Sequence, residues 1–96
     1  MKYDLDKRIE DDIIRIAKKN GIEKVILFGS RARGDNKERS DIDLAVSGGN
    51  VLDFSYDVEE NARTLLMFDV VALGRNISQE LRDEIERDGV VLYEKV

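Results

Sequence analysis

Apolar residues recur in two rhythms along this chain. Over residues 5–19, Leu5, Ile9, Ile13, Ile16 and Ala17 return at steps of three and four with charged residues between them. That spacing predicts a helix with one buried face. Asp4 or Asp6 can cap its start, Lys18 and Lys19 suit the dipole of its last turn, and Asn20-Gly21 ends it. Residues 24–28, Lys-Val-Ile-Leu-Phe, form a short, mostly apolar run of the kind found in buried strands, and the run stops at Gly29. Residues 30–40 are polar and are expected to hold a short helix from near Ser30. Over 41–47 the period becomes two, so that Ile42, Leu44 and Val46 share one strand face and Asp41, Asp43 and Ala45 the other. After the loop Gly48-Gly49-Asn50, a second long helix is expected over 52–66, with Phe54, Val58, Ala62 and Leu65 inward. Residues 67–73 read as a third strand, apolar except for Asp69, followed by a turn over 74–76. Ser78 can cap a helix over 79–88 that faces Leu81 and Ile85 inward and ends at Gly89, and 90–93 make a fourth strand.

Composition narrows the chemistry. Ninety-six residues suit one small domain, 1–96. With 39% charged residues, most charges must lie on solvated faces. A net charge of −5 argues against direct nucleic-acid binding, which needs clustered positive charge. The absence of cysteine removes disulfides and thiolate ligands and fits a reducing, cytoplasmic setting. No apolar run approaches the ~18 residues that span a membrane, and the N-terminus is acidic too early for a signal peptide. Histidine is absent as well, so the commonest general base is missing and any metal must be held by oxygen ligands. Oxygen ligands favour Mg²⁺ or Mn²⁺ over zinc.

The acidic residues acquire interest from their placement. Residues i and i+2 of a strand project to one side, so Asp41 and Asp43 share a face with Cα atoms roughly 6.5–7 Å apart. Such a pair repels unless it is wet or bridged by a divalent cation. Asp69 interrupts the most apolar strand, between Phe68 and Val70-Val71. It must meet water, a metal shared with Asp41 and Asp43, or a salt bridge from Arg31, Arg33 or Arg63. Gly29-Ser30, at the end of a strand, offers backbone N–H groups and a hydroxyl to phosphate oxygens. Arg31 and Arg33 can clamp phosphates or stand as surface residues, whereas Lys37 and Arg39 read as surface residues. The turn is neither a Walker A loop nor a Rossmann fingerprint, because Gly29-Ser-Arg-Ala-Arg-Gly34 lacks both patterns.

Taken together, Gly29-Ser30, ten residues and Asp41-Ile-Asp43 resemble the Gly-Ser-x10-Asp-x-Asp signature of minimal nucleotidyltransferases, in the DNA polymerase beta-like superfamily. Phe-Gly-Ser-Arg-Ala-Arg-Gly, Phe68-Asp69-Val70-Val71 and the closing segment to Tyr93 extend the resemblance over nearly the whole chain. It implies an α/β (α+β) fold, a mixed four-stranded sheet with helices packed on it. It also implies nucleotidyl transfer with Mg²⁺ or Mn²⁺ and ATP as substrate. Carried over, Gly29 and Ser30, with Arg33 beside them, hold the triphosphate. Asp41 and Asp43 ligate metal, and Asp69 binds the catalytic metal or helps deprotonate the attacking hydroxyl. Many such proteins are antitoxins that transfer AMP to a tyrosine of a HEPN-domain toxin, with which they can form hetero-oligomers. Two other readings stand beside this one: neutralisation of a toxin by contact alone, and transfer to a small hydroxylated molecule. Some relatives carry a further acidic residue where this chain has Ala72.

Overall fold

The computed structural model describes residues 3–74 and 76–96. The elements follow in the order α1 (Lys7–Lys19), β1 (Lys24–Phe28), α2 (Gly29–Arg33), β2 (Ile42–Ser47), α3 (Val51–Asn61), β3 (Phe68–Ala72), α4 (Gln79–Asp88) and β4 (Val90–Glu94). The strands form one mixed sheet in the order β3-β2-β1-β4. β1 runs antiparallel to β2 and to β4, and β2 runs parallel to β3. The parallel pair needs a crossover, and α3 supplies it.

Each sheet face has its own cover. Ile42, Leu44 and Val46 of β2, with Val25 and Leu27 of β1, pack against Ile9, Ile13 and Ile16 of α1 and Phe54 and Val58 of α3. The opposite face holds a smaller cluster, in which Phe28 and Ala45 meet Ile85 of α4 with Ile26, Val71 and Leu81 around them. The alternation expected of β2 is therefore real, but its second face is covered rather than solvated. Local signals set the helix starts. Asp6 accepts from Arg8 N–H, Asn50 from Asp53 N–H and Ser78 from Leu81 N–H, at 2.8, 3.0 and 3.1 Å.

Two expectations need correction, and a third is not tested. The second long helix does not continue to residue 66. It stops at Asn61, and Ala62 adopts extended backbone. The stop is enforced by α1, because the carboxylate of Asp12 accepts from the backbone N–H of Arg63 at 2.9 Å and from its guanidinium at 3.0 Å. Leu65, expected inward, is consequently fully exposed. β2 begins at Ile42, so Asp41 lies just before the strand rather than within it. The turn expected over 74–76 includes Arg75, which lies outside the described residues.

Candidate active site

The register of the sheet brings the acidic residues together. In the parallel pairing of β2 with β3, Asp43 stands directly opposite Asp69. In the antiparallel pairing with β1, the same Asp43 stands opposite Phe28, the residue before Gly29. Asp43 shares its strand face with Ala45, and Asp69 with Val71, so both carboxylates leave the sheet on the side that α4 covers. Parallel neighbours lie roughly 4.8 Å apart, which makes the two carboxylates adjacent. Asp41 and Asp69 are exposed and Asp43 is half-buried.

Gly29 sits against this pair. Its φ is +75°, in the region that favours glycine, and a Cβ built there would overlap the Asp43 carboxylate. The turn can pass this close to the aspartate only because residue 29 has no side chain. Five residues on, Gly34 ends α2 in the left-handed conformation, and its N–H donates to the Ser30 carbonyl at 2.8 Å. Ser30, half-buried, lies in the first turn of this short helix.

Burial, and then the neighbouring charges of Asp69, Asp41 and Glu84, push the Asp43 carboxyl up to about 6, with Arg33 pulling the other way. No ion pair among the described residues includes Asp41, Asp43 or Asp69. The salt bridge considered for Asp69 is therefore not made, and each candidate arginine is engaged elsewhere. Arg31 is buried, 5% exposed, and donates to the carbonyls of Ser40, Glu38 and Asp4 at 3.0, 2.9 and 3.3 Å. It closes the 34–41 loop and is not a phosphate clamp. Arg33 meets Asp35 at 3.0 Å, Asp88 at 3.5 Å and Glu84 at 3.8 Å. Arg63 is bound to Asp12.

Uncompensated carboxylates beside a tight turn are a fit for a hard divalent cation, and the donor set contains only oxygen. Among the described residues no three acidic groups stand together at metal-ligand spacing. Glu84 was absent from the sequence-based candidates. It reaches the site because α4 packs over α2, and nothing in the sequence joins residues 84 and 43. Ala72 is exposed on the strand face opposite Asp69, away from the carboxylates.

Residues 11–96 match the family described as polymerase beta, nucleotidyltransferase. The chain belongs to this family. Its nucleotidyltransferase activity accords with a second similarity, to "Putative protein adenylyltransferase MJ0604" of Methanocaldococcus jannaschii, 45% identical over 81 residues that cover 75% of this chain and 79% of that protein. A second protein of that organism, "Putative protein adenylyltransferase MJ0435", is 41% identical over 58 residues, 54% of this chain and 62% of its own length. Among solved structures, a toxin–antitoxin complex with AMP-PNP contains a chain that superposes with a TM-score of 0.72 at 24% identity, covering 90% of this chain and 73% of that one. The structure of a "putative minimal nucleotidyltransferase" superposes with a TM-score of 0.65 at 26% identity, covering 84% of this chain and 86% of that one. The nucleotidyltransferase fold is thus the mixed sheet described above, and the family implies a nucleotide substrate and a divalent metal. None of the nucleotidyltransferase's described helices is long and apolar enough to cross a membrane.

Proposed function

We propose that this nucleotidyltransferase transfers AMP from ATP to a tyrosine hydroxyl of a HEPN-domain toxin, and so acts as its antitoxin. The observation that carries the reading is the 45% identity to a protein named as a protein adenylyltransferase. The antitoxin role is supported by the shared fold of the toxin–antitoxin structure.

In this reading Gly29 and Ser30 hold the triphosphate at the end of β1, while Asp41 and Asp43 bind Mg²⁺ or Mn²⁺. Asp69, one strand further, would complete the ligand set or help take up the hydroxyl proton. A cation bound there neutralises phosphate charge and lowers the pKa of the attacking hydroxyl, which removes the need for a histidine base. Arg33 reaches a phosphate by giving up one of its acidic partners, Asp35, Glu84 or Asp88.

Growth rescue on co-expression with the toxin tests the reading. Wild-type chain should rescue growth and leave AMP on the toxin, as read by intact mass. Asp41→Asn with Asp43→Asn should bind the toxin, leave it unmodified and fail to rescue. Rescue by the double variant would mean that contact alone neutralises the toxin.

A further inference from the structure

A concavity of the described surface lies along two segments that lead into the carboxylates. It is an open groove of about 600 Å³ lined by Glu38, Arg39, Thr64, Leu65, Leu66 and Met67. Its two walls lead directly into the site: residues 38–39 precede Asp41, and 64–67 precede Phe68 and Asp69. Leu65 is fully exposed and Met67 61% exposed. An apolar side chain in water is unremarkable on a loose loop, but this turn is held at both ends. Buried Asp12 grips Arg63 through backbone and side chain. The Leu66 N–H donates to Thr64 Oγ1 at 3.0 Å, the Phe68 N–H to Glu59 at 2.9 Å, and the Ile42 N–H to the Met67 carbonyl at 2.9 Å. Leu65 is thus displayed from a fixed support, as a contact residue is.

We propose that this groove, anchored on Leu65, docks the acceptor segment of the protein that the site modifies, receiving an apolar side chain with basic residues beside it. The inference rests on the protein-directed transfer proposed above. Sheet order gives the direction of approach. Across the strands the site runs from the Gly29-Ser30 turn at β1, through Asp43 on β2, to Asp69 on β3. In-line displacement requires the attacking oxygen to enter opposite the leaving pyrophosphate. With the phosphates at β1, the acceptor arrives over β3, where the groove lies. Charge gives its character. Glu38 and Arg39 balance within the lining, and of the flanking cations Arg63 is paired with Asp12, leaving Lys37; Asp41 and Asp69 are exposed where the groove opens into the site, and the chain carries −5 overall. A basic segment is attracted there, whereas a second copy of this acidic chain is repelled.

The test compares wild type, Leu65→Asp, Leu65→Ser and Val91→Asp with Mg²⁺, ATP and the full-length HEPN-domain partner. Val91 is a partly exposed apolar residue on β4, at the opposite sheet edge. Both Leu65 variants should raise KM for the partner, Leu65→Asp by about tenfold or more as expected for a lost apolar anchor. KM for ATP, the mass in solution and the circular dichroism should stay at wild-type values, and Val91→Asp should change none of them. Should Leu65→Asp fold poorly, Leu65→Ser decides. Four results overturn the inference: an unchanged partner KM; an equal rise in KM for ATP, which makes the groove a nucleobase site; an equal effect of Val91→Asp; or a wild-type dimer that the Leu65 variants dissociate. If wild type labels the partner and the Leu65 variants label it equally well, the groove alone fails. If wild type labels nothing, the proposed function fails and the groove falls with it.

Discussion

Asp43→Asn should make this protein more stable at neutral pH while abolishing its activity. The Asp43 carboxyl is pushed up from 3.8 to about 6, first by burial and then by the charges of Asp69, Asp41 and Glu84. A carboxyl whose pKa is raised on folding favours the folded state most below pH 4, and that advantage is lost as pH rises through 6. A shift of this size corresponds to about 3 kcal/mol at about 1.4 kcal/mol per unit. Because the side chain is only half-buried, screening reduces this to about 1–2 kcal/mol. Asparagine has the same shape, carries no charge and leaves the close fit against Gly29 intact. In EDTA, urea unfolding of wild type and Asp43→Asn should give equal stabilities near pH 4 and a gap of about 1–2 kcal/mol in favour of the variant at pH 8. Adding Mg²⁺ at pH 8 should stabilise wild type and close the gap. A gap of the same size at pH 4 and pH 8, or a variant less stable than wild type at pH 8, would refute the electrostatic reasoning.

Three other outcomes follow from the same geometry. Gly29→Ala forces a side chain into the Asp43 carboxylate at positive φ; it should cost about 1–3 kcal/mol by urea unfolding and reduce turnover by more than tenfold. Asp12→Asn should weaken the grip on Arg63. The Arg63 hydrogen bond holds the Asp12 carboxyl down at about 2, so its contribution of about 1–2 kcal/mol is present above pH 4 and lost as pH falls towards 2. The stability difference between wild type and Asp12→Asn should shrink over that interval. Calorimetry should find ATP binding much weaker in EDTA than in Mg²⁺, since three aspartates beside a triphosphate repel it until a cation intervenes; equal affinity in both would contradict the site.

Much of the architecture was legible because local signals agree with it. Asp6 and Ser78 cap helices where their side chains can reach a free N–H, and the alternation of Ile42, Leu44 and Val46 marks the larger core; Asn50, read only as part of a loop, is the cap of α3. The candidate site could be outlined in part because Gly29-Ser30 and Asp41-Ile-Asp43 lie close in sequence. The facing of Asp43 and Asp69 depends on strand register across a crossover, which one sequence leaves open. The end of α3 was misread for a similar reason. Phe54, Val58, Ala62 and Leu65 keep helical spacing, yet the chain is captured after Asn61 by Asp12, 51 residues before Arg63. Arg31 looked like a phosphate ligand by its neighbours, but three backbone carbonyls of a folded-back loop and the N-terminal segment hold it.

The most direct measurement is transfer of label from ATP to the HEPN-domain partner in Mg²⁺, with the label on the α-phosphate in one sample and the γ-phosphate in another. AMP transfer predicts that the α-label stays with the partner, that the γ-label leaves with pyrophosphate, and that Asp43→Asn abolishes labelling. Retention of the γ-label, or undiminished labelling by Asp43→Asn, would contradict it.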